Sequence, residues 1–369
     1  MNKKRIGSIA AIAVVGVLAL SSCAANESST PAASATSGSG SSSAPVSGTI
    51  NGIGSSAQGV AETTWAAGFQ TANPNATVNY DPQGSGAGRT SFASGAANFA
   101  GSDAALATAD LSGSFAACAT GTKGIDIPVY ISPISLAYNI SGVKDLTLDA
   151  STIAGIFSGS IKTWNDPAIK ALNSGVSLPS AAITVVHRSD DSGTTENFTE
   201  YLASQAPKVW TKPASQTFPY TVGDAAKGTS GVASAVQNST NSIAYIDKSG
   251  AGSLSLAKVK FGDKATTISA TGAAAVVTKS PLVSGRTKND IAVNIDRSLT
   301  AKGDWPIVLV SYLITCQTYK SSTVGKEVKA YAEYVTSPAA QKAAAAQAGS
   351  APLSGTLSTD AQKAAASIK

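Results

Sequence analysis

Three times this chain runs a short apolar segment into a loop of glycines and hydroxyl residues, and from there into a stretch with helical spacing. The loops are Gly52-Ile53-Gly54-Ser55-Ser56, Gly84-Ser85-Gly86-Ala87-Gly88 and Asp191-Ser192-Gly193-Thr194. Repetition of strand, loop and helix is the pattern of an α/β protein. It also prepares a kind of chemistry. Glycine lets backbone approach a ligand closely. Hydroxyls donate hydrogen bonds without adding charge. A helix start brings unpaired N–H groups and partial positive charge. One such loop is an ordinary turn, whereas three of them with an arginine nearby suggest a site.

The spacing of apolar residues predicts strands over 49–53, 77–80, 99–102, 183–186, 243–246 and 307–314. It predicts helices over 58–71, from the second glycine loop to 98, and over 151–157, 194–204 and 324–335. Asp166-Pro167 reads as a further helix start, with proline at the first helical position. Another is expected from Ser358, with Asp360 in its first turn. Residues 127–138 hold two apolar runs interrupted by Pro133, as a crossing between two domains would. A return crossing is expected near 292–307. No fixed-period repeat is present.

The N-terminus reads as an export signal over 1–22. Lys3, Lys4 and Arg5 precede an apolar run from Ile9 to Leu20, which is short for a membrane span. The run ends in Leu20-Ser21-Ser22-Cys23, similar to a bacterial lipobox, which implies cleavage before Cys23 and its diacylation. The alternative is a plain secretory signal with an incidental cysteine. Residues 23–47 are rich in Ser, Ala, Thr and Gly and form a tether that cannot bury a core. Loss of the three basic residues takes the formal net charge from +5 to +2, which gives no electrostatic case for nucleic acid. Only 13% of residues are charged, so polar contacts must come largely from hydroxyls and backbone. With Cys23 lipidated, Cys118 and Cys316 remain. Export permits a disulfide between them, and two separate buried thiols are the alternative. One histidine and no CxxC pair leave no recognisable metal site, and no cofactor is implied.

Arg188-Ser189-Asp190-Asp191-Ser192-Gly193-Thr194 is the most pointed segment. Arginine gives a planar fork of charged donors, a carboxylate two residues on can hold it, and a helix start follows. The set suits a dehydrated tetrahedral oxyanion. His187 is expected to face away from Arg188, because neighbours on a strand alternate.

Together with Phe99-Ala100-Gly101-Ser102-Asp103, these segments resemble the phosphate-binding subunit of bacterial phosphate-specific ABC transporters, in the family's order and spacing. Thr163-Trp164-Asn165-Asp166, Ser177-Leu178-Pro179 and Asp304-Trp305-Pro306-Ile307 match further landmarks. The resemblance spans the chain from Gly48. It implies a type II periplasmic-binding-protein fold, with two α/β lobes, two crossovers and a ligand cleft between them. The expected lobe limits are 48–132 and 291–369 for the first and 133–290 for the second. It implies phosphate ligands at Ser56, Ala57, Ser85, Asp103, Arg188, Ser192, Gly193 and Thr194, with Asp190 orienting the arginine. Ser56 stands where threonine is frequent, Ala57 where an aromatic residue is common, and Asp191 where glycine is frequent; Asp191 is given no ligand role. The implied protein is a monomeric, lipid-anchored binding protein on the extracytoplasmic face of the cell membrane. It would pass inorganic phosphate to permease and ATPase subunits and would not be an enzyme.

Asp103 is the informative member of this set. A carboxylate facing an anion repels it unless the ligand carries a proton, as hydrogen phosphate does and sulfate does not. A buried mismatch of this kind costs roughly 1–3 kcal/mol, more when charged. The rival readings are a binding protein for sulfate or molybdate, an exported serine hydrolase or phosphatase, and a surface adhesin that keeps the fold. The hydrolase lacks a G-x-S-x-G elbow, and no G-x-x-x-x-G-K-[ST] loop occurs.

Overall fold

The computed structural model describes residues 46–369. The signal segment, Cys23 and the tether up to residue 45 lie outside the described residues. The chain opens with β1 (Ser47–Gly54), α1 (Gly59–Ala72), β2 (Asn75–Asp81), α2 (Ser85–Ser94) and β3 (Phe99–Ser102). The short α3 (Thr108–Ser112) leads to the long β4 (Gly124–Asn139). Then come β5 (Thr147–Asp149), α4 (Ala150–Ser158), α5 (Pro167–Leu172), β6 (Thr184–Arg188), α6 (Gly193–Gln205), β7 (Asp224–Ala226) and α7 (Gly228–Asn238). They are followed by β8 (Ser242–Asp247), β9 (Ser255–Leu256), β10 (Lys258–Phe261), β11 (Lys264–Thr266) and α8 (Ala270–Lys279). The chain closes with β12 (Val308–Cys316), α9 (Ser322–Val335), α10 (Pro338–Ala348) and α11 (Gly355–Ala366).

The main sheet has the order β2-β1-β3-β12-β4-β8-β6-β7. Two groups of parallel strands, β1 with β2 and β3, and β6 with β7 and β8, flank an antiparallel centre. The centre is β4, which changes partner along its length. From Gly124 to Pro133 it pairs with β12, and from Ile134 to Asn139 with β8. Pro133 has no N–H to give a ladder, so the change of partner falls where the strand can spare a donor. Each half of β4 thus belongs to a different lobe. The return crossing lies beside this point: Ile134 donates to Ile307 O at 2.7 Å, and Trp305 Nε1 to Ile134 O at 3.1 Å. The change of partner falls within residues 127–138, and the α/β fold is the one expected.

Strand β12 is buried along its whole length and β4 along all but its last residue, which explains their near-continuous apolar runs. Aromatic packing holds each lobe. Phe69 meets Tyr331 edge-on at 5.3 Å in the first, and Phe198 stacks on Tyr245 at 4.4 Å in the second. Cys118 and Cys316 are joined in a disulfide that ties the loop after α3 to the end of β12, across 198 residues of sequence.

Some local expectations shift. Helix α2 stops at Ser94, not 98, because Gly95 takes a left-handed cap there. Helix α11 begins at Gly355, so Asp360 lies in its middle and pairs with Lys363 at 3.2 Å instead of facing the helix start. Helices α7 and α8 carry few large apolar residues, Val232 and Val236 in one and Val276 and Val277 in the other, and gave no clear periodic signal.

Candidate anion site between the lobes

Four loops meet where the two groups of parallel strands end. Within the first lobe, Ser55 donates its N–H to Gly101 O, and Gly84 to Gly54 O, each at 2.8 Å, so the loops after β1, β2 and β3 form one surface. The loop after β6 closes on it from the second lobe. Gly86 donates to Asp191 O at 3.1 Å, and the Thr194 hydroxyl to Asp103 Oδ2 at 3.1 Å. At the edges of the cleft, Lys227 donates to Gln83, and Arg89 to Gln216. The lobes are therefore in contact around the site.

Arg188 is the last residue of β6 and is 4% exposed. Its main-chain N–H donates to the Tyr245 hydroxyl at 3.2 Å. Asp190 takes its Nε at 2.7 Å and pairs with Nη2, which leaves Nη1 without a protein acceptor among the described residues. Asp190 also accepts the Gly228 N–H at 3.0 Å. Burial alone would raise its carboxyl, but the hydrogen bond and charge of Arg188 carry it below the ordinary carboxylate value. Asp190 thus holds the Arg188 guanidinium through two of its nitrogens.

Helix α6 starts at the same place. Ser192 caps it, its Oγ accepting the Thr195 N–H at 3.2 Å, so the hydroxyl proton remains available. Gly193 and Thr194 occupy the first turn, where N–H groups have no intrahelical acceptor. Ser85 begins α2, and its Oγ accepts the Asp103 N–H at 3.1 Å, again leaving its proton to give. Ser85, Asp103, Ser192 and Thr194 are all at most 3% exposed.

Asp103 faces this set of donors. Its Oδ1 takes the Ser55 hydroxyl at 2.6 Å, and its Oδ2 the Thr194 hydroxyl. Burial pushes its carboxyl up, opposed by the hydroxyls of Ser55, Ser311 and Thr194 and by the charge of Arg188. The site therefore combines one fixed guanidinium, several neutral donors and one buried carboxyl whose proton affinity is raised by burial.

Two candidates lie at the margin. The half-buried Ser56 exchanges hydrogen bonds with Thr229, accepting its N–H at 3.0 Å and lying 3.0 Å from its hydroxyl. The Ala57 N–H is held by Ser55 Oγ at 3.1 Å. Asp191 accepts the Thr217 hydroxyl at 2.7 Å and bridges the cleft only through its carbonyl. His187 stacks on Phe218 at 4.2 Å, and its Nδ1 lies 2.9 Å from Arg188 O. Among the described residues no group of three His, Cys, Asp or Glu side chains is placed to hold a metal, and no helix is long and apolar enough to cross a membrane.

Sequence reasoning passed over Ser55, Thr229, Tyr245, Asn197 and Arg297. Ser55 lies in the first glycine loop, where nothing in the sequence distinguishes it from Ser56. The others carry no motif, and their roles depend on partners about fifty to two hundred residues away.

The PBP superfamily domain matches residues 39–339. Phosphate-binding protein PstS 3 of Mycobacterium leprae is 38% identical over 280 residues, covering 74% of this chain and 75% of its own length. Its counterpart of the same name in Mycobacterium tuberculosis is 36% identical over 343 residues, covering 90% of each chain. Among solved structures, a high affinity periplasmic phosphate-binding protein bound with phosphate superposes with a TM-score of 0.70 at 22% identity, covering 85% of this chain and 92% of the other. A phosphate-binding protein from Stenotrophomonas maltophilia gives 0.64 at 22% identity, covering 86% and 93%. At those identities the structures speak for the fold. The sequence relatives decide the family: the chain belongs to the PBP superfamily and, within it, to the family of the mycobacterial PstS phosphate-binding proteins.

Proposed function

We propose that the chain binds inorganic phosphate outside the cytoplasm and hands it to the permease of an ABC transporter, whose ATPase subunits supply the energy. The observation that carries this reading is the buried Asp103 carboxylate, bonded to Thr194 at the start of α6, under the charge of Arg188, and with its main chain held by Ser85. A ligand there must accept many hydrogen bonds and also donate one, which describes hydrogen phosphate and excludes sulfate at neutral pH. The cage would use the side chains of Ser85, Asp103, Arg188 and Ser192, the Thr194 hydroxyl once it turns from Asp103 to the anion, and the N–H groups of Gly193 and Thr194. Ser56 and the N–H of Ala57 would complete it from the edge, after exchanging their present partners Thr229 and Ser55 for the anion.

Binding, not turnover, is the proposed activity. Among the described residues the loops pair no serine with the histidine: the Ser55 hydroxyl is held by Asp103, and His187 stacks on Phe218. The proposed cycle is capture, closure and release, with the lobes (48–132 with 291–369, and 133–290) hinging where β4 changes partner. Closure removes water and strengthens each hydrogen bond to the anion. Diacylated Cys23 would anchor a monomer to the cell membrane through the tether, several acyl chains making the attachment firm.

Isothermal titration of the mature protein with phosphate, arsenate and sulfate tests the reading. Phosphate and arsenate should bind at one site and compete, and sulfate should give no heat at matched concentration. Equal binding of sulfate, or release of product from a phosphoester, would overturn it.

A further inference from the structure

Asn197 lies one turn into α6 and is 6% exposed. Its Nδ2 donates twice, to Gly193 O at 2.9 Å in its own helix and to Asp103 O at 2.8 Å across the cleft. It therefore ties the helix start, which carries the anion donors, to the residue that carries the acceptor. Asn197 Oδ1 accepts from Arg297 Nη2. Arg297 lies in the return crossing and is 3% exposed. Its Nη1 donates to Pro306 O at 3.0 Å and Val308 O at 2.6 Å, and its Nη2 to Glu200 Oε2 at 2.8 Å.

The chemistry of these groups fixes the direction of the amide. Arginine can only donate, and the two carbonyls can only accept. Asn197 must turn its oxygen to Arg297 and its NH2 to Asp103 and Gly193, and the reversed amide would set like against like on both sides. Arg297 is itself held by carbonyls on either side of Ile307, whose own carbonyl accepts from Ile134 where β4 changes lobes. A chain of hydrogen bonds thus runs from the crossing to the backbone of Asp103.

We propose that Asn197 is a closure latch: its amide, oriented by Arg297, bonds Asp103 O only when the lobes meet and so holds Asp103 in place for the anion. Asn197 is a positioning residue, acting through Asp103 and Gly193. The proposal rests on the phosphate reading for the identity of the anion, not for the latch itself.

Asn197→Asp is the discriminating variant. It keeps the volume and still pairs with Arg297, but presents an oxygen to the two carbonyls. Asn197→Ala is the companion, removing the amide without repulsion. Wild type and both variants are titrated with phosphate, arsenate and sulfate, and stopped-flow rates are taken for the anion that wild type prefers. Asn197→Asp should weaken binding about a hundredfold and Asn197→Ala about tenfold, the change falling in the dissociation rate. Unfolding temperature should move little in Asn197→Asp, because the Arg297 pair survives. Should that variant fail to fold, Asn197→Ala alone decides. Binding within about twofold of wild type in a folded variant, or a loss carried by the association rate, would overturn the latch. A wild type that prefers sulfate overturns the phosphate reading and leaves the latch standing. One that binds none of the three overturns both.

Discussion

Gly193 and Asp103 approach so closely that a Cβ on Gly193 would lie 2.6 Å from Asp103 Cβ, and 2.9 Å from Ser85 Oγ. No side chain fits at that distance, so the first residue of α6 must be glycine for the helix start to lie this close to the carboxylate. Gly193→Ala should hold the lobes apart. Phosphate affinity is expected to fall at least about tenfold, or 1.4 kcal/mol, with an unfolding temperature close to wild type. Calorimetry and thermal unfolding on the same preparation check both halves.

Asp103→Asn should reduce the preference for phosphate over sulfate by about tenfold or more, since the amide can donate to sulfate. The pH dependence carries the same signature. Burial raises the Asp103 carboxyl, so on acidification it takes up its proton before an ordinary carboxylate would. Wild-type selectivity should narrow as pH falls through that raised value, because the neutral acid can also donate. The Asp103→Asn variant should show a flat profile. For stability the sign is opposite to that of a salt-bridged acid. The neutral form is favoured in the fold, so this group's contribution is full below the ordinary carboxylate value and lost as pH rises through the raised one. Anion titrations at several pH values would expose a failure of this account.

Arg188→Ala should abolish tight binding, by about a thousandfold or more, which is roughly 4 kcal/mol. Arg188→Lys should recover only part of that, because a lysine ammonium keeps the charge but cannot fork between Asp190 and an anion. The Ala variant should lose up to a few kcal/mol of stability as Asp190 loses its partner, while the Gly228 N–H softens the loss. A folded Arg188→Ala protein that binds phosphate tightly is the contrary result.

Glu62 lies fully buried in α1 behind the first loop, its Oε2 accepting the Tyr331 hydroxyl at 2.6 Å. Burial raises its carboxyl to about 8, against the lowering effect of that hydrogen bond. The unfolded chain ionises this acid near 4.5 and the folded one near 8, so stability falls as pH rises between those values. Glu62→Gln keeps an acceptor for Tyr331 and removes the ionisation. It should be more stable than wild type at pH 8 by one or more kcal/mol, with the difference closing toward pH 4. Denaturant midpoints at the two pH values measure this, and a constant offset would count against it.

The α/β architecture was legible because the strands that pack at the centre of the sheet are nearly all apolar, and because each glycine loop announces a strand-to-helix turn. β12 and the two runs of β4 stood out for that reason, and so did Pro133, where the partner changes. Helices α7 and α8 did not, since small residues bury a face without leaving a periodic mark. Within the site, Arg188, Asp190, Ser192, Gly193 and Thr194 were legible as one stretch, because a helix start and its cap are local. The role of Ser55 was hidden by its neighbour Ser56: only the fold decides which hydroxyl turns toward Asp103 and which toward Thr229.

What the amino-acid order alone determined, then, was a set of donors: an arginine with its carboxylate, three hydroxyl-rich loops and the helix starts that follow them. These are properties of residues close in the chain, set by backbone preference and hydrogen-bonding capacity. The tertiary structure decided how the donors face their acceptor. It set Gly193 against Asp103, joined Cys118 to Cys316, and turned the Asn197 amide through Arg297. Those relationships span from about ninety to two hundred residues, and short-range preference cannot encode them. They exist because a strand shared between two lobes brings separate loops to one place, and burial there leaves each polar group dependent on its partner.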